Sequence, residues 1–153
     1  LRLSGLVAAA LAVLAAISPA CCGAARAAGG AHAARSQRLA ITARLRYVDA
    51  RGAYLIEEGA ISSGALAGTI NASIRVRAEI AGSFTLHAPG GSITGRGTAV
   101  LHESGVYASF GGTLKIIGGT GRYAHASGDA GLYGVYDRET LGFTIQTTGT
   151  LSF

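Results

Sequence analysis

Two adjacent carboxylates, Glu57 and Glu58, stand in a stretch of alternating side chains, and their adjacency decides what chemistry they can do. Neighbours along a strand point to opposite faces, so whichever register holds, one of the pair faces inward and the other outward. A carboxyl carried into an apolar interior is penalised in its charged form. Its pKa rises, and it can then give or take a proton near neutral pH. Tyr47, Tyr136 and Thr147 fall on the same apolar faces and would bring hydroxyls to such a site. The plainer reading, preferred on sequence alone, is a solvated strand end on which both acids are ordinary surface charges, since perturbed groups also arise structurally.

Other catalytic sets are missing. His87 and His102 alternate with Phe84, Leu86 and Leu101 and so fall on the wet face; His125 lies in a glycine-rich loop, four residues before Asp129, with no helix to align the two. The chain has neither H-E-x-x-H nor a cysteine cluster, and no Ser stands in G-x-S-x-G, so we expect no metal, no cofactor and no serine nucleophile. Asn71-Ala72-Ser73 is a glycosylation sequon on the wet face, best read as a chance occurrence.

The elements that must carry these residues are strands. From Leu39 the pattern has period two: Ile41, Ala43, Leu45 and Tyr47 alternate with Thr42, Arg44 and Arg46, and Asp49-Ala50-Arg51-Gly52 reads as a turn. A second strand spans 53–62. The third, 69–80, points Ile70, Ala72, Ile74, Val76, Ala78 and Ile80 one way and polar residues the other. Strands over 83–88, 92–103 and 106–117 come next, the first ending at Pro89-Gly90-Gly91; the last two, 130–136 and 141–153, are joined by Asp137-Arg138-Glu139-Thr140 as a hairpin.

Eight strands with no helix-period segment between them favour an antiparallel meander, and closing it into a barrel removes the exposed edges. An open two-sheet sandwich satisfies the same periodicity. Many residues on the dry face are small, among them Ala43, Ala72, Ala78, Gly97, Ala99, Ala108 and Gly149, which leaves room in a barrel lumen for one small ligand. Tyr47, Phe84, Phe110, Tyr136, Phe143 and Thr147 are the expected ligand-binding residues. The opposing expectation is a lumen collapsed around Phe84, Phe110 and Phe143.

The sharpest punctuation in the chain is Gly118-Gly119-Thr120-Gly121-Arg122-Tyr123-Ala124, immediately after the apolar run 114–117. Gly119-x-Gly121-x-x-Ala124 also fits a dinucleotide fingerprint, but that motif needs a helix next, and Gly128, Gly131 and Gly134 interrupt the segment where the helix would lie. Read from Ile117 to Gly128, the stretch resembles the GGTGxFxxAxG signature of the dirigent and allene oxide cyclase-like barrels. That resemblance implies an eight-stranded antiparallel barrel in which Gly118, Gly119, Gly121, Tyr123 and Gly128 are structural. It also implies activities to weigh: dirigent proteins steer phenoxy-radical coupling, and allene oxide cyclases close a fatty-acid-derived epoxide. Assembly of such barrels into dimers or trimers makes a homo-oligomer an expectation as well, and Val100, Ile117 and Val135 break the wet face where a contact could form.

At 153 residues the chain is one domain by size. Its pI of about 9.7 suggests an anionic partner. However, four of the 13 basic residues, Arg2, Arg26, Arg35 and Arg38, precede Leu39, leaving nine against eight acids beyond it. No basic patch interleaved with aromatics is left for nucleic acid. Arg2, the apolar run from Gly5 to Ile17 and Ser18-Pro19-Ala20 read as an export signal, too short to span a bilayer. We therefore expect a signal peptide and leader over 1–33, a tether over 34–38 and the barrel over 39–153. A lipid anchor at Cys21 is the alternative to simple secretion. The leading functional expectation is an exported barrel that binds a small apolar or phenolic molecule, with lumen catalysis (a cyclase, isomerase or coupling guide) and a structural envelope role as alternatives.

Overall fold

The computed structural model describes residues 35–62, 66–103 and 105–153. The expected signal and leader lie outside these residues. The described chain is all-β: eight strands, each antiparallel to its neighbours, close into a barrel in sequence order. They are β1 (Ser36–Arg51), β2 (Tyr54–Ile61), β3 (Gly68–Val76), β4 (Glu79–Ala88), β5 (Gly91–Leu101), β6 (Tyr107–Gly119), β7 (Gly128–Asp137) and β8 (Phe143–Ser152). Closure excludes the two-sheet sandwich, because β1 pairs β8 from Ser36↔Ser152 to Leu45↔Phe143 and none of the eight strands is left as a free edge.

Alternation places one apolar side chain in two inside. Leu39, Ala43 and Leu45 of β1, Ile70, Ala72 and Ile74 of β3, and Ile93 and Ala99 of β5 are all buried. Each large aliphatic residue contributes about 1.5–3 kcal/mol relative to exposure. The pairing is staggered. A row of directly opposed residues leaves β1 at Ala50, passes Leu55, Ile74, Gly82, Gly97, Leu114, Ala130 and Gly149, and returns to β1 at Leu39. The strands are therefore tilted, as closure of a barrel requires. Two bulges adjust the ladders, one at Val48 between Tyr47 and Asp49, the other at Ile117 opposite Thr94 and Gly95. Ile117 thus departs from the outer pattern as the extra residue of a bulge. Val100 and Val135 are exposed on the outside of β5 and β7, as are Tyr107 and Tyr133 of β6 and β7.

Several boundaries differ from the sequence expectation. The tether ends earlier than residue 38: Ser36, Gln37 and Arg38 already belong to β1, because backbone pairing with β8 needs no alternating side chains. The turn expected at 49–52 falls mostly within β1, which runs to Arg51 and reverses at Gly52, in left-handed conformation (φ 61°). The long third strand is really a hairpin. It breaks at Arg77 and Ala78, and Val76 pairs with Ile80. Both partners are even-numbered, so the apolar alternation passes unchanged through the turn; Ala78 is its exposed tip and no lumen residue. Leu141 is likewise outside β8. It sits in the β7–β8 loop at φ 57°, rare for a branched side chain, and packs against the core.

Candidate functional site

The middle of the barrel is not filled. A cavity of about 100 Å³ runs between Leu39, Ile41 and Ala43 of β1, Ala72 and Ile74 of β3, Phe84 and Leu86 of β4, Phe110, Leu114 and Ile116 of β6, and Phe143, Ile145 and Thr147 of β8. The reason is local: Gly82 and Gly97 pair across β4 and β5, and both line the cavity where side chains would otherwise meet. Phe84, Phe110, Phe143 and Thr147 of the expected binding set are brought together on this wall. Thr147 is buried, and its Oγ1 has no hydrogen-bond partner. The lining is otherwise aliphatic, aromatic and glycine apart from Ser83, which is exposed, so Thr147 is its buried polar group.

One end of the barrel, where β2–β3, β4–β5 and β6–β7 connect, carries the glycine loop. Gly121–Tyr123 forms a single 3-10 turn that drives Tyr123 inward to 1% exposure, edge-on to Phe153 at 5.2 Å. Arg122 stays at the surface and lies over both rings, 5.1 Å and 5.2 Å from their centroids. The loop is fastened to the β4–β5 turn by Arg122 N–H donating to the Gly90 carbonyl (2.9 Å) and Thr120 N–H donating to the Ser92 carbonyl (2.8 Å). Gly121 (φ 60°) has to be glycine there, since a Cβ would run into the Gly90 carbonyl. Strand β7 comes after this turn, and no α-helix, which removes the dinucleotide reading.

The other end, made by the β1–β2, β3–β4, β5–β6 and β7–β8 hairpins, carries the carboxylates. Glu57 faces inward at 0% exposure, while Glu58 is exposed and 3.8 Å from Arg46, opposite it on β1. The reading of both acids as surface charges is therefore corrected: β2 is long enough to take Glu57 below the rim. Neither Glu57 oxygen has a hydrogen-bond partner, and burial pushes its pKa up from 4.5 to about 7. Directly across β1–β2 stands Tyr47, on the inward register but 38% exposed, so it belongs to the rim and not to the lumen wall. Tyr136 is buried and stacked on Phe143 (centroids 4.6 Å apart, 24° between planes), and Phe143 meets Phe110 edge-on at 6.0 Å. Burial raises the Tyr136 phenol above its usual pKa; Arg138 opposes this, and the Glu57 and Asp137 charges add to it.

Tyr47, Glu57 and Tyr136 do not line the central cavity, but the residues around them do. Ala72, opposite Glu57 on β3, Leu45, two residues in from Tyr47 on β1, and Phe143, directly opposite Tyr136 on β8, all belong to its wall. The carboxyl thus lies beside the lining residue Ala72 without itself belonging to the cavity wall. Sequence reasoning missed the aliphatic share of the lining, Ile41, Leu114 and Ile145; their signal was mid-strand position on the dry face. His87, His102 and His125 are exposed, and among the described residues no three His, Cys, Asp or Glu side chains come together as a metal site. No described helix is long and apolar enough to cross a membrane. Compared with family models, with curated proteins and with solved structures, the chain finds no match.

Proposed function

We propose that the barrel binds a small, mainly apolar molecule of about one aromatic ring in its lumen. The observation that carries this reading is the cavity of about 100 Å³ with the unpartnered hydroxyl of Thr147 in its wall. Apolar cavities of a similar order, about 150 Å³, stay dry and take up benzene. A dry cavity costs the empty protein its packing contacts, and a ligand restores them. Thr147 favours a ligand that carries a hydroxyl or carbonyl, a phenol above all, because the hydroxyl is otherwise left unpaired. The leader-like residues 1–33 support an exported protein, and the loop at 117–128 supports kinship with the dirigent and allene oxide cyclase-like barrels.

The test is calorimetric and spectroscopic titration with phenol, compared with cyclohexanol and glucose. Phenol is expected to bind, to raise the unfolding temperature as its concentration rises, and to shift the methyl resonances of Ile41, Ile145 and Thr147; at a hundredfold excess over Kd the gain is about 2.7 kcal/mol. No stabilisation by phenol, with the lumen methyl resonances unmoved, would sink the reading. A second reading, proton-transfer chemistry in the lumen, is favoured by one observation: Glu57 is an inward acid poised to ionise near pH 7. It requires turnover, whereas binding alone does not.

A further inference from the structure

We infer that the hairpin end of the lumen is an amine site, in which the Glu57 carboxyl pairs with the ammonium head of a ligand whose apolar body occupies the central cavity. The inference rests on the lumen-binding reading and adds the ligand's chemical class. Three observations carry it. Both Glu57 oxygens are sealed from solvent without a hydrogen-bond partner, so the group is incomplete as it stands. No Lys or Arg among the described residues pairs with it; the ion pairs found there are the exposed Arg46–Glu58 and Arg51–Asp49. Its surroundings are aromatic, with Tyr47 directly opposite and Tyr136 near enough to feel its charge, stacked on Phe143.

A neutral acceptor such as a ketone would take the Glu57 proton in one hydrogen bond and leave the second oxygen unpaired. A primary amine does more. At pH 7 it arrives already as an ammonium; the Glu57 O–H bond breaks with its proton leaving to solvent, and the three N–H donors of the ammonium then serve the two carboxylate oxygens. Aromatic rings favour a cation over a neutral group, the more so where water is excluded. Because Ala72, paired with Glu57 across β2 and β3, lines the cavity, the carboxyl lies next to the wall there, and a ring in the cavity with a one-carbon arm carries its nitrogen to that side. Benzylamine has that shape.

The experiment is paired titration of the intact protein with benzylamine and with toluene at pH 7, on the wild type and on Glu57→Gln. Benzylamine is expected to bind wild type about tenfold or more tightly than toluene, and that preference to vanish or reverse in the variant. A readout in the wild type alone guards against a variant that fails to fold: the 13C resonance of the Glu57 carboxyl is expected to move to its carboxylate position as benzylamine saturates. If toluene binds but benzylamine gains nothing, or if the carboxyl resonance does not move toward its carboxylate position, the amine inference is overturned while the lumen reading stands. If neither ligand nor phenol binds, both fall together.

Discussion

Glu57 ends in an apolar wall with neither oxygen hydrogen-bonded, and proton linkage turns that placement into a pH dependence. Its folded pKa of about 7 lies above the ordinary 4.5, so below pH 4.5 both states hold the proton and the folded state bears no penalty. Between those values the unfolded chain releases the proton and the folded chain keeps it; stability therefore falls as pH rises, and levels off above pH 7. The loss is about 3 kcal/mol, from the size of the shift. Denaturant unfolding across about pH 4–8 is expected to show wild type losing this amount relative to Glu57→Gln, whose amide does not titrate; parallel profiles would contradict the placement of the carboxyl. Thr147 makes the complementary case. Its hydroxyl is buried without a partner, so Thr147→Val is expected to stabilise the empty barrel by about 1 kcal/mol. The same change is expected to weaken phenol by about tenfold, measured by calorimetric titration of the variant.

At the scale of elements, the glycine loop packs Tyr123 into one end of the barrel, and its position depends on one backbone conformation. Gly121 holds φ 60° and lies against the Gly90 carbonyl, so Gly121→Ala strains the turn and separates it from the β4–β5 hairpin. A cost of about 1–3 kcal/mol is expected, read from the urea midpoint, with faster hydrogen exchange at the Arg122 amide that donates to Gly90. The strands themselves were legible because a period of two survives wherever one face is dry, as in Ile70, Ala72, Ile74 and Val76. What the period could not reveal was where a strand reverses. Val76↔Ile80 keeps the parity through its turn, and Ser36 to Arg38 pair by backbone alone. The site was half legible for a related reason. Adjacency forces one of Glu57 and Glu58 inward, but which one depends on the β1–β2 register, and the Tyr47 depth depends on how far β1 extends past the barrel before Gly52 reverses it.

For the whole molecule, a closed ring of eight tilted strands fixes the lumen's diameter, so its content is set by side-chain volume. Glycine at 82 and 97 and alanine at 43 and 72 leave the centre open, and that space separates a binding barrel from a purely structural one. A protein selected only for rigidity gains by filling it, since cavity loss is worth about 24 cal/mol per Å³. Ala43→Leu points three further carbons at the cavity from β1, between Ile41 and Leu45. The substitution is expected to raise stability by about 1 kcal/mol, net of some repacking strain, and to abolish phenol binding. Measured together, the two effects discriminate: greater stability with lost binding is the signature of a lumen kept open for a ligand. Undiminished phenol binding in the filled variant would place the ligand elsewhere, and the cavity would lose its claim to function even though the barrel stood.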